Sequence, residues 1–371
     1  MEYFIAGGCG FVGSNLIPYI LNRDEEATVI NLDINHSSTV DGFMNLGSAS
    51  GRYTFVEGDV ADLESYEEYL KVADVVINLA VENSVSQFEE RMDRFIRTNI
   101  MGSRILSDSS AKNGIPMVHL STDQVYGSCP ITVPRRDENS PLNPTNSYAT
   151  TMAAGERLLE ISRRRSKLPL IVLRTCELIG PNQALSKTIP STIKSIKENK
   201  PPTIKGTRGD RYRDWLHVLD LCSAIDFVVG SLMGETESDG RDTQDSKRPG
   251  MTVISGTDVG TKPTERGSGY PHQGRRVLSG VTAFNVTSEI RMYVSDMVRK
   301  VMEIMGSDLP IQEVREEWER DIGYNASGRK IHYQGWSARY TDLDEILKST
   351  IDWYLDHEEI LRTDEGGHLK P

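Results

Sequence analysis

The stretch YFIAGGCGFVG, residues 3–13, decides how this chain begins to fold. Its first four residues are apolar and predict a short strand, and from residue 16 onward apolar residues recur at helical spacing. Three glycines, Gly7, Gly10 and Gly13, lie between the two. The first allows a tight turn, the second lets a pyrophosphate approach the backbone, and the third lets helix and strand pack closely. The stretch therefore predicts a dinucleotide-binding loop whose helix N-terminus faces the anion.

The next strand candidate, residues 27–32, ends at Asp33. This position lies about 20 residues beyond the loop, where the dinucleotide pattern places an acidic residue. A carboxylate there accepts hydrogen bonds from a ribose diol and repels a 2′-phosphate, and no arginine follows it directly. The pattern favours NAD over NADP. The alternative, a glycine-rich turn in an unrelated fold, is less favoured, given this spacing and Asp33.

Short apolar stretches continue to alternate with helical patterns as far as about residue 173. This alternation predicts an α/β fold, a Rossmann-type doubly wound parallel sheet with a smaller mixed C-terminal substrate-binding domain. We assign residues 1–173 to an NAD-binding domain and 174–362 to the smaller domain, where Pro, Lys and Gly become frequent. A stretch rich in Gly, Ser, Thr, Asp and Arg predicts a flexible insertion over 234–280, and residues 363–371 form a polar tail.

Composition excludes several classes of function. The 371 residues carry a formal net charge of −12, which disfavours nucleic acid and anionic membrane as partners. No apolar run is long enough for a membrane span, and the first residues do not have the pattern of a signal peptide. The histidines form no cluster and the cysteines show no metal-ligand spacing, so no metal site is predicted and the thiols are expected to be free. We expect a cytoplasmic protein. The cysteines are Cys9, Cys129, Cys176 and Cys222.

A second informative stretch is STDQVYG, residues 121–127, at the end of a predicted strand. The Thr122 hydroxyl and the Asp123 carboxylate are groups that can take part in proton transfer. Gln124 is an amide and has no useful basicity.

The glycine loop, residues 7–14, resembles that of the extended short-chain dehydrogenase/reductase family, whose members modify nucleotide-activated sugars. The segments RDWLHV (213–218) and TIDWY (350–354) are similar to those typical of dTDP-glucose 4,6-dehydratases. Four shorter segments follow the family order: Gly58-Asp59-Val60, Asn78-Leu79-Ala80-Val81-Glu82, Thr98-Asn99-Ile100 and Ser147-Tyr148-Ala149.

The resemblance implies oxidation of a sugar C4 hydroxyl by NAD, then loss of water across C5 and C6. It makes Tyr148 the base, Thr122 its hydrogen-bonding partner and Asp123 the acid for the C6 hydroxyl, with Gln124 as the fourth catalytic position. It assigns contacts with the substrate to Glu177, Arg213, Asn285 and Arg320. It assigns the cofactor site to Gly7, Gly10, Phe11, Val12, Gly13, Asp33, Asp59, Val60, Leu79, Ala80, Glu82, Asn99, Tyr148 and Met152.

Three positions depart from the family pattern. Gln124 stands where the dehydratases have the glutamate that takes the C5 proton. Met152 stands where the family has a lysine, one helical turn beyond Tyr148, and methionine neither lowers the tyrosine pKa nor holds the nicotinamide ribose. Glu177 stands where the family usually has asparagine, and a carboxylate near a diphosphate is unfavourable unless it is turned away or paired with arginine.

Three hypotheses therefore remain open. The first is a 4,6-dehydratase in which another group, or a water held by Gln124, replaces the missing glutamate. The second is an enzyme that oxidises C4 without elimination, as an epimerase or dehydrogenase does. The third is a binding or regulatory protein that keeps affinity for NAD and a sugar nucleotide without turnover. Each implies a nucleotide-diphosphate sugar as partner. The resemblance also implies a homodimer formed by helices at roughly residues 87–113 and 148–163.

Overall fold

The structure is a computed structural model that describes residues 1–34, 51–83, 88–205, 211–234, 283–314 and 321–362. The strands are β1 (Glu2–Ala6), β2 (Thr28–Asp33), β3 (Tyr53–Glu57), β4 (Val75–Asn78), β5 (Met117–Thr122), β6 (Leu170–Thr175), β7 (Glu177–Ile179), β8 (Thr203–Lys205), β9 (Tyr212–His217), β10 (Ala283–Val286), β11 (Ile290–Tyr293) and β12 (Gln312–Val314).

The helices among the described residues are α1 (Phe11–Arg23), α2 (Glu67–Leu70), α3 (Phe88–Phe95), α4 (Ser103–Asn113), α5 (Ser147–Ser166), α6 (Thr188–Lys197), α7 (Val218–Leu232), α8 (Val294–Ile304), α9 (Arg329–Tyr333), α10 (Leu343–Asp356) and α11 (Glu358–Leu361). A π-helical segment, Ile96–Gly102, joins α3 to α4, and a 3₁₀ turn, Asp123–Tyr126, follows β5.

Seven strands form one parallel sheet in the order β3-β2-β1-β4-β5-β6-β10. The order reverses direction at β1, which lies between β2 and β4, and such a switch point creates a crevice at the carboxyl ends of the strands. The predicted Rossmann-type doubly wound fold is confirmed. Since the strands are parallel, the glycine loop after β1, Asp33 at the end of β2 and Thr122 at the end of β5 all lie at the same edge of the sheet.

Helices cover both faces of this sheet, as a parallel sheet requires. One face packs against α1 and α7, whose buried residues include Leu16 and Leu221. The other face packs against α4 and α5 through Leu106 and Leu159. The strands β1, β4 and β6 are accordingly buried along most or all of their length.

A second sheet, β7-β9-β11, lies in the C-terminal part of the chain and packs with α6, α8 and α10 around Ile179 and Trp215. Two later elements of the chain belong to the large sheet rather than to this second sheet. Strand β10 pairs with β6, and α7 packs on α1. The division at residues 173 and 174 stays a prediction. Apart from Gly234, the predicted insertion 234–280 lies outside the described residues, as does the tail 363–371.

Within the described ranges, none of the helices combines the length and the apolar character that a membrane span needs. These same residues contain no group of three His, Cys, Asp or Glu side chains placed to hold a metal ion. All four cysteines are free thiols.

Candidate active site

The glycine loop has the geometry that its sequence predicts. Gly7 adopts φ +83°, and a Cβ there would lie 2.6 Å from the Ala80 backbone nitrogen. A Cβ on Gly13 would lie 2.4 Å from the Gly8 backbone, which explains the close approach of α1. A Cβ on Gly10 would meet only the Gly7 carbonyl oxygen, at 3.4 Å. The space beside Gly10 is therefore open to a ligand, whereas Gly7 and Gly13 are needed by the fold itself.

The N-terminus of α1 adjoins this open space. Gly10 is the N-cap residue, no side chain caps the helix, and its first turn contains no acidic residue. The first backbone N–H groups of a helix have no partner within the helix, so they favour an anion here. Phe11 and Val12 begin the helix and pack partly buried against the core.

Asp33 supports the loop at the end of β2. The Cys9 backbone N–H donates to its Oδ2 at 2.9 Å. Asn31, two residues earlier, accepts from the Gly8 N–H at 3.0 Å and donates to the Tyr53 hydroxyl at 2.9 Å. Sequence reasoning missed Asn31, although a polar residue inside an apolar strand was the available signal.

Asp59 and Val60 follow β3 at the same edge. Asp59 accepts from the Ala61 N–H at 2.8 Å and forms an ion pair with Arg97 at 2.6 Å. Val60 is buried against Gly102, where a Cβ would come within 2.4 Å of the valine side chain. Both residues hold the loop that forms one side of the crevice.

The loop after β4 carries Leu79, Ala80 and Glu82. The side chain of Asn99, on the π-helical segment, accepts from the Glu82 N–H at 2.8 Å and donates to the Glu82 carbonyl oxygen at 3.0 Å. Asn99 also donates to the Thr151 hydroxyl of α5 at 3.0 Å. Asn99 thus joins the cofactor loop to the helix of Tyr148. The glycine loop, Asp33 and this loop together fit a dinucleotide, since an uncapped helix N-terminus lies open near a carboxylate, a group that can accept hydrogen bonds from a ribose.

Thr122 and Asp123 are both buried where β5 enters its 3₁₀ turn. The pKa of Asp123 is raised to about 8, chiefly by burial and also by the negative charges of Asp214 and Glu177, while Arg213 opposes the rise. Asp123 therefore keeps its proton at neutral pH and can donate it to a leaving group.

Gln124 makes a structural contact. Its Oε1 accepts from the Asn146 Nδ2 at 3.1 Å, and the Asn146 Oδ1 accepts from the Ala149 N–H at 2.7 Å, which caps α5. The Asn146 amide also donates to Asp321 at 2.8 Å and to the Tyr324 hydroxyl at 3.0 Å. Gln124 is thereby connected to the start of the helix that carries Tyr148.

Tyr148 is the second residue of α5, and Met152 follows one turn later. Burial raises the pKa of Tyr148 above its ordinary value, and the negative charges of Glu177 and Asp123 add to the effect. Met152 is only 3% exposed and packs in an apolar cluster with Val125 and Tyr126. The site therefore has no cation at position 152, and its phenol is held in the neutral form.

The predicted substrate residues lie in several different parts of the structure. Glu177 starts β7 and Arg213 lies on β9, with its guanidinium 4.8 Å from the centre of the Tyr324 ring. Asn285 is fully buried; its Oδ1 accepts from the Tyr126 hydroxyl and its Nδ2 donates to two backbone carbonyl oxygens. Its contact with substrate stays a prediction. Arg320 lies outside the described residues.

Sequence reasoning missed an ion cluster next to Asp123. The Asp214 carboxylate is fully buried between Arg135, at 2.5 Å, and Arg291, at 3.0 Å. Two guanidinium groups on one carboxylate leave a net positive charge in this wall of the site. The strand β9, YRDWLH, also contains Arg213 and His217, so Asp214 gave no clear signal in the sequence.

A second buried network holds the strands beneath the site. Glu156 of α5 accepts from the Ser121 hydroxyl at 2.5 Å and from Arg174 of β6 at 2.7 Å. Arg174 also donates to the Tyr126 hydroxyl at 2.6 Å. The network fixes α5, and with it Tyr148, against the ends of β5 and β6.

Comparison with known proteins agrees with this geometry. The model of the NAD dependent epimerase/dehydratase family matches residues 3–237. The chain belongs to this family. The prediction of the family is thereby confirmed, and NAD is the cofactor in whose terms the family is defined.

Two curated relatives and one solved structure illustrate the likeness. The dTDP-glucose 4,6-dehydratase of Salmonella typhimurium is 32% identical over 62% of this chain and 68% of its own length. The low-salt glycan biosynthesis protein Agl12 of Haloferax volcanii is 26% identical over 97% of this chain and 100% of its own length. The crystal structure of the dTDP-glucose 4,6-dehydratase of Bacillus anthracis in complex with NAD is 27% identical, covers 97% of this chain and 98% of that chain, and has a TM-score of 0.74.

Proposed function

We propose that this protein oxidises the C4 hydroxyl of a nucleotide-diphosphate sugar with NAD and then removes water across C5 and C6, as an NDP-glucose 4,6-dehydratase. The observation that carries the proposal is the buried Asp123 carboxyl. Its pKa of about 8 keeps it protonated at neutral pH, which an acid that protonates a departing hydroxyl requires. Relatives named as dTDP-glucose 4,6-dehydratases support the same reaction.

Different residues of the chain have different roles in this reaction. The glycine loop and the N-terminus of α1 hold the cofactor pyrophosphate, and Asp33 accepts hydrogen bonds from its ribose. NAD held by these residues would supply the hydride transfer that oxidation at C4 and reduction at C6 require. Thr122 and Tyr148 orient the C4 hydroxyl, Asp123 donates its proton to the C6 hydroxyl, and Arg213 binds the diphosphate.

A C4 epimerase or dehydrogenase is the second candidate. The observation that favours it is Gln124, an amide whose oxygen is already engaged by Asn146 at 3.1 Å. Oxidation without elimination needs no base at that position. A protein without turnover is less favoured, because Thr122, Asp123 and Tyr148 are retained together and several relatives are named as dTDP-glucose 4,6-dehydratases.

The test is a product assay. Purified protein is incubated with NAD and, separately, with dTDP-glucose, UDP-glucose, GDP-mannose and UDP-N-acetylglucosamine, and mass spectrometry follows the loss of one water. Loss of water that disappears in Asp123→Asn supports the proposal. Interconversion of C4 epimers without loss of mass would replace it with the second candidate. If none of the sugars changes, the remaining hypothesis is a protein that binds NAD and a sugar nucleotide without turnover.

We also infer a cytoplasmic homodimer. The π-helical segment exposes Ile96 and Met101, by 41% and 48%, and the neighbouring α5 exposes Ile161 by 53%. Apolar side chains exposed on two adjacent helices favour a partner surface, and a second copy of the chain is the partner that the family resemblance suggests. Sedimentation of the purified protein tests this: a monomer at micromolar concentration contradicts the inference.

A further inference from the structure

The proposed function, on which this inference rests, includes elimination across C5 and C6. Elimination needs a base that accepts the C5 proton. Gln124 is an amide and is connected to Asn146, so it cannot serve. Asp123 holds its own proton at neutral pH. Tyr148 is a phenol whose pKa is raised by burial. None of these three groups is available to accept the proton.

Glu177 lies at the edge of the sheet that carries the catalytic turn, Asp123–Tyr126. Thr122 on β5 pairs in register with Thr175 on β6, so the next residues on the two strands are Asp123 and Cys176. Glu177 follows directly and starts β7, paired with Trp215 of β9. It therefore lies beside the catalytic turn, at the junction between the large sheet and the small one.

The charge of Glu177 acts on both groups that flank the sugar in the proposed reaction. It raises the pKa of Asp123 and, after burial, is the largest contribution to the raised pKa of Tyr148. This effect agrees with the position of Glu177 at the start of β7, two residues beyond the Thr175 that pairs with Thr122. The side chain is only partly buried, so a ligand can reach it.

The other carboxylate near Asp123 is not available. Asp214 is fully buried and is shared by Arg135 and Arg291 at 2.5 and 3.0 Å. In the part of the chain that the structure describes, Glu177 has no arginine or lysine within ion-pair distance. Among these described residues, Asp214 is held by counter-ions and Glu177 is not.

We propose that Glu177 is the catalytic base that accepts the C5 proton of the sugar. Once C4 is a ketone, the C5–H bond is acidic. The Glu177 carboxylate takes this proton while the C5–C6 double bond forms, the C6–O bond breaks, and Asp123 gives its proton to the departing hydroxyl to make water. The proton on the partly exposed Glu177 exchanges with solvent. After reduction at C6, Glu177 donates a solvent-derived proton to C5 and is a carboxylate again, while the proton released from the C4 hydroxyl replaces the one that Asp123 lost.

This assignment gives the departures at positions 124 and 177 one explanation. The family pattern has a carboxylate at the first position and an amide at the second, and this chain has Gln124 and Glu177. The two functional groups have exchanged places, so the pocket keeps one carboxylate and one amide. The amide at 124 then serves the structure, through Asn146, and the carboxylate at 177 serves the chemistry.

The experiment compares Glu177→Gln and Glu177→Asn with the unaltered protein and with Glu303→Gln, a control on the exposed face of α8. Each is incubated with NAD and dTDP-glucose, UDP-glucose, GDP-mannose or UDP-N-acetylglucosamine in heavy water. The near-ultraviolet absorbance of reduced nicotinamide reports C4 oxidation, mass spectrometry reports loss of water, and NMR reports deuterium at C5. NAD titration and thermal melting confirm that each variant is folded.

We expect both Glu177 variants to lose water about 100- to 10,000-fold more slowly, to lack deuterium at C5 and still to reduce the nicotinamide. The control should match the unaltered protein. Water loss at the unaltered rate in Glu177→Gln would overturn the proposal, and so would an equal fall in nicotinamide reduction and water loss, which would assign Glu177 to binding. If the unaltered protein loses no water from any of the four sugars, the proposed function fails and this assignment fails with it.

Discussion

Replacing Asp123 by asparagine should stabilise the fold, and by an amount that grows with pH. The pKa of this carboxyl is raised from 3.8 to about 8 in the folded protein. The stability that its protonated form contributes is thus fully present below 3.8, decreases as the pH rises, and is lost once the pH passes about 8. Asparagine has nearly the same shape and never ionises. The variant therefore does not lose the stability that the unaltered protein loses when the buried carboxyl ionises.

The size of the effect follows from the two pKa values at about 1.4 kcal/mol per unit. The free energy of unfolding of Asp123→Asn should exceed that of the unaltered protein by about 2 kcal/mol near pH 5 and by about 5 kcal/mol near pH 8, less any difference that is independent of pH. Above that range the difference should level off. Such a gain in stability together with a loss of activity is typical of a strained catalytic position.

The assay is denaturant unfolding of both proteins, without ligands, at several pH values between about 4 and 9. Subtraction at each pH cancels the titration of every other group. A difference that is the same at pH 5 and pH 8 would refute the reasoning, because the folded and unfolded states would then bind the Asp123 proton equally well.

Further predictions concern the acid, the buried ion pair and the glycine loop. Water loss catalysed by the unaltered protein should fall as the pH rises through about 8, because Asp123 must be protonated to donate; a rate that still rises past pH 9 would exclude this acid. Glu156→Gln should lower the free energy of unfolding by about 3 kcal/mol, because Arg174 would be left buried without its counter-charge, and a change below about 1 kcal/mol in denaturant unfolding would contradict this. Gly10→Ala should keep the melting temperature but weaken NAD binding in calorimetry, since its Cβ meets no atom except a carbonyl oxygen at 3.4 Å. Gly13→Ala should lower the melting temperature and also weaken NAD binding. If the two alanine variants have the same melting temperature and the same affinity for NAD, the open space beside Gly10 is not the cofactor site.

The cofactor half of the site could be predicted from sequence because its signals are local. The turn at Gly7, the close packing at Gly13 and the carboxylate at Asp33 depend on residue type and spacing within the first two strands. The structure has the turn at Gly7 and the close packing at Gly13, and Asp33 accepts a hydrogen bond from the glycine loop. It also has Thr122 and Asp123 at the end of β5, as predicted. That Asp33 binds the ribose stays a prediction.

The other wall of the site could not be predicted, because its contacts join distant parts of the chain. Asn146 contacts Asp321, and Arg135 contacts Asp214, across long stretches of sequence. Nothing in the sequence indicates that Gln124 would be engaged by a helix cap, or that Asn285 would have its side chain satisfied by Tyr126 and two backbone carbonyl oxygens. Pairings of this kind depend on how the second sheet docks.

The return of β10 to the large sheet has a consequence for folding during synthesis. Strand β6 is complete at Thr175, yet its outer neighbour begins only at Ala283. Until the ribosome has made residue 286, β6 is an edge strand with unpaired N–H and C=O groups, which is a template for aggregation. The nascent chain therefore passes through a long interval in which its cofactor-binding half is present but open at one side. A fragment that ends near residue 173 should need a chaperone or form oligomers, and the whole chain should reach its native state only after its C-terminal part has left the ribosome.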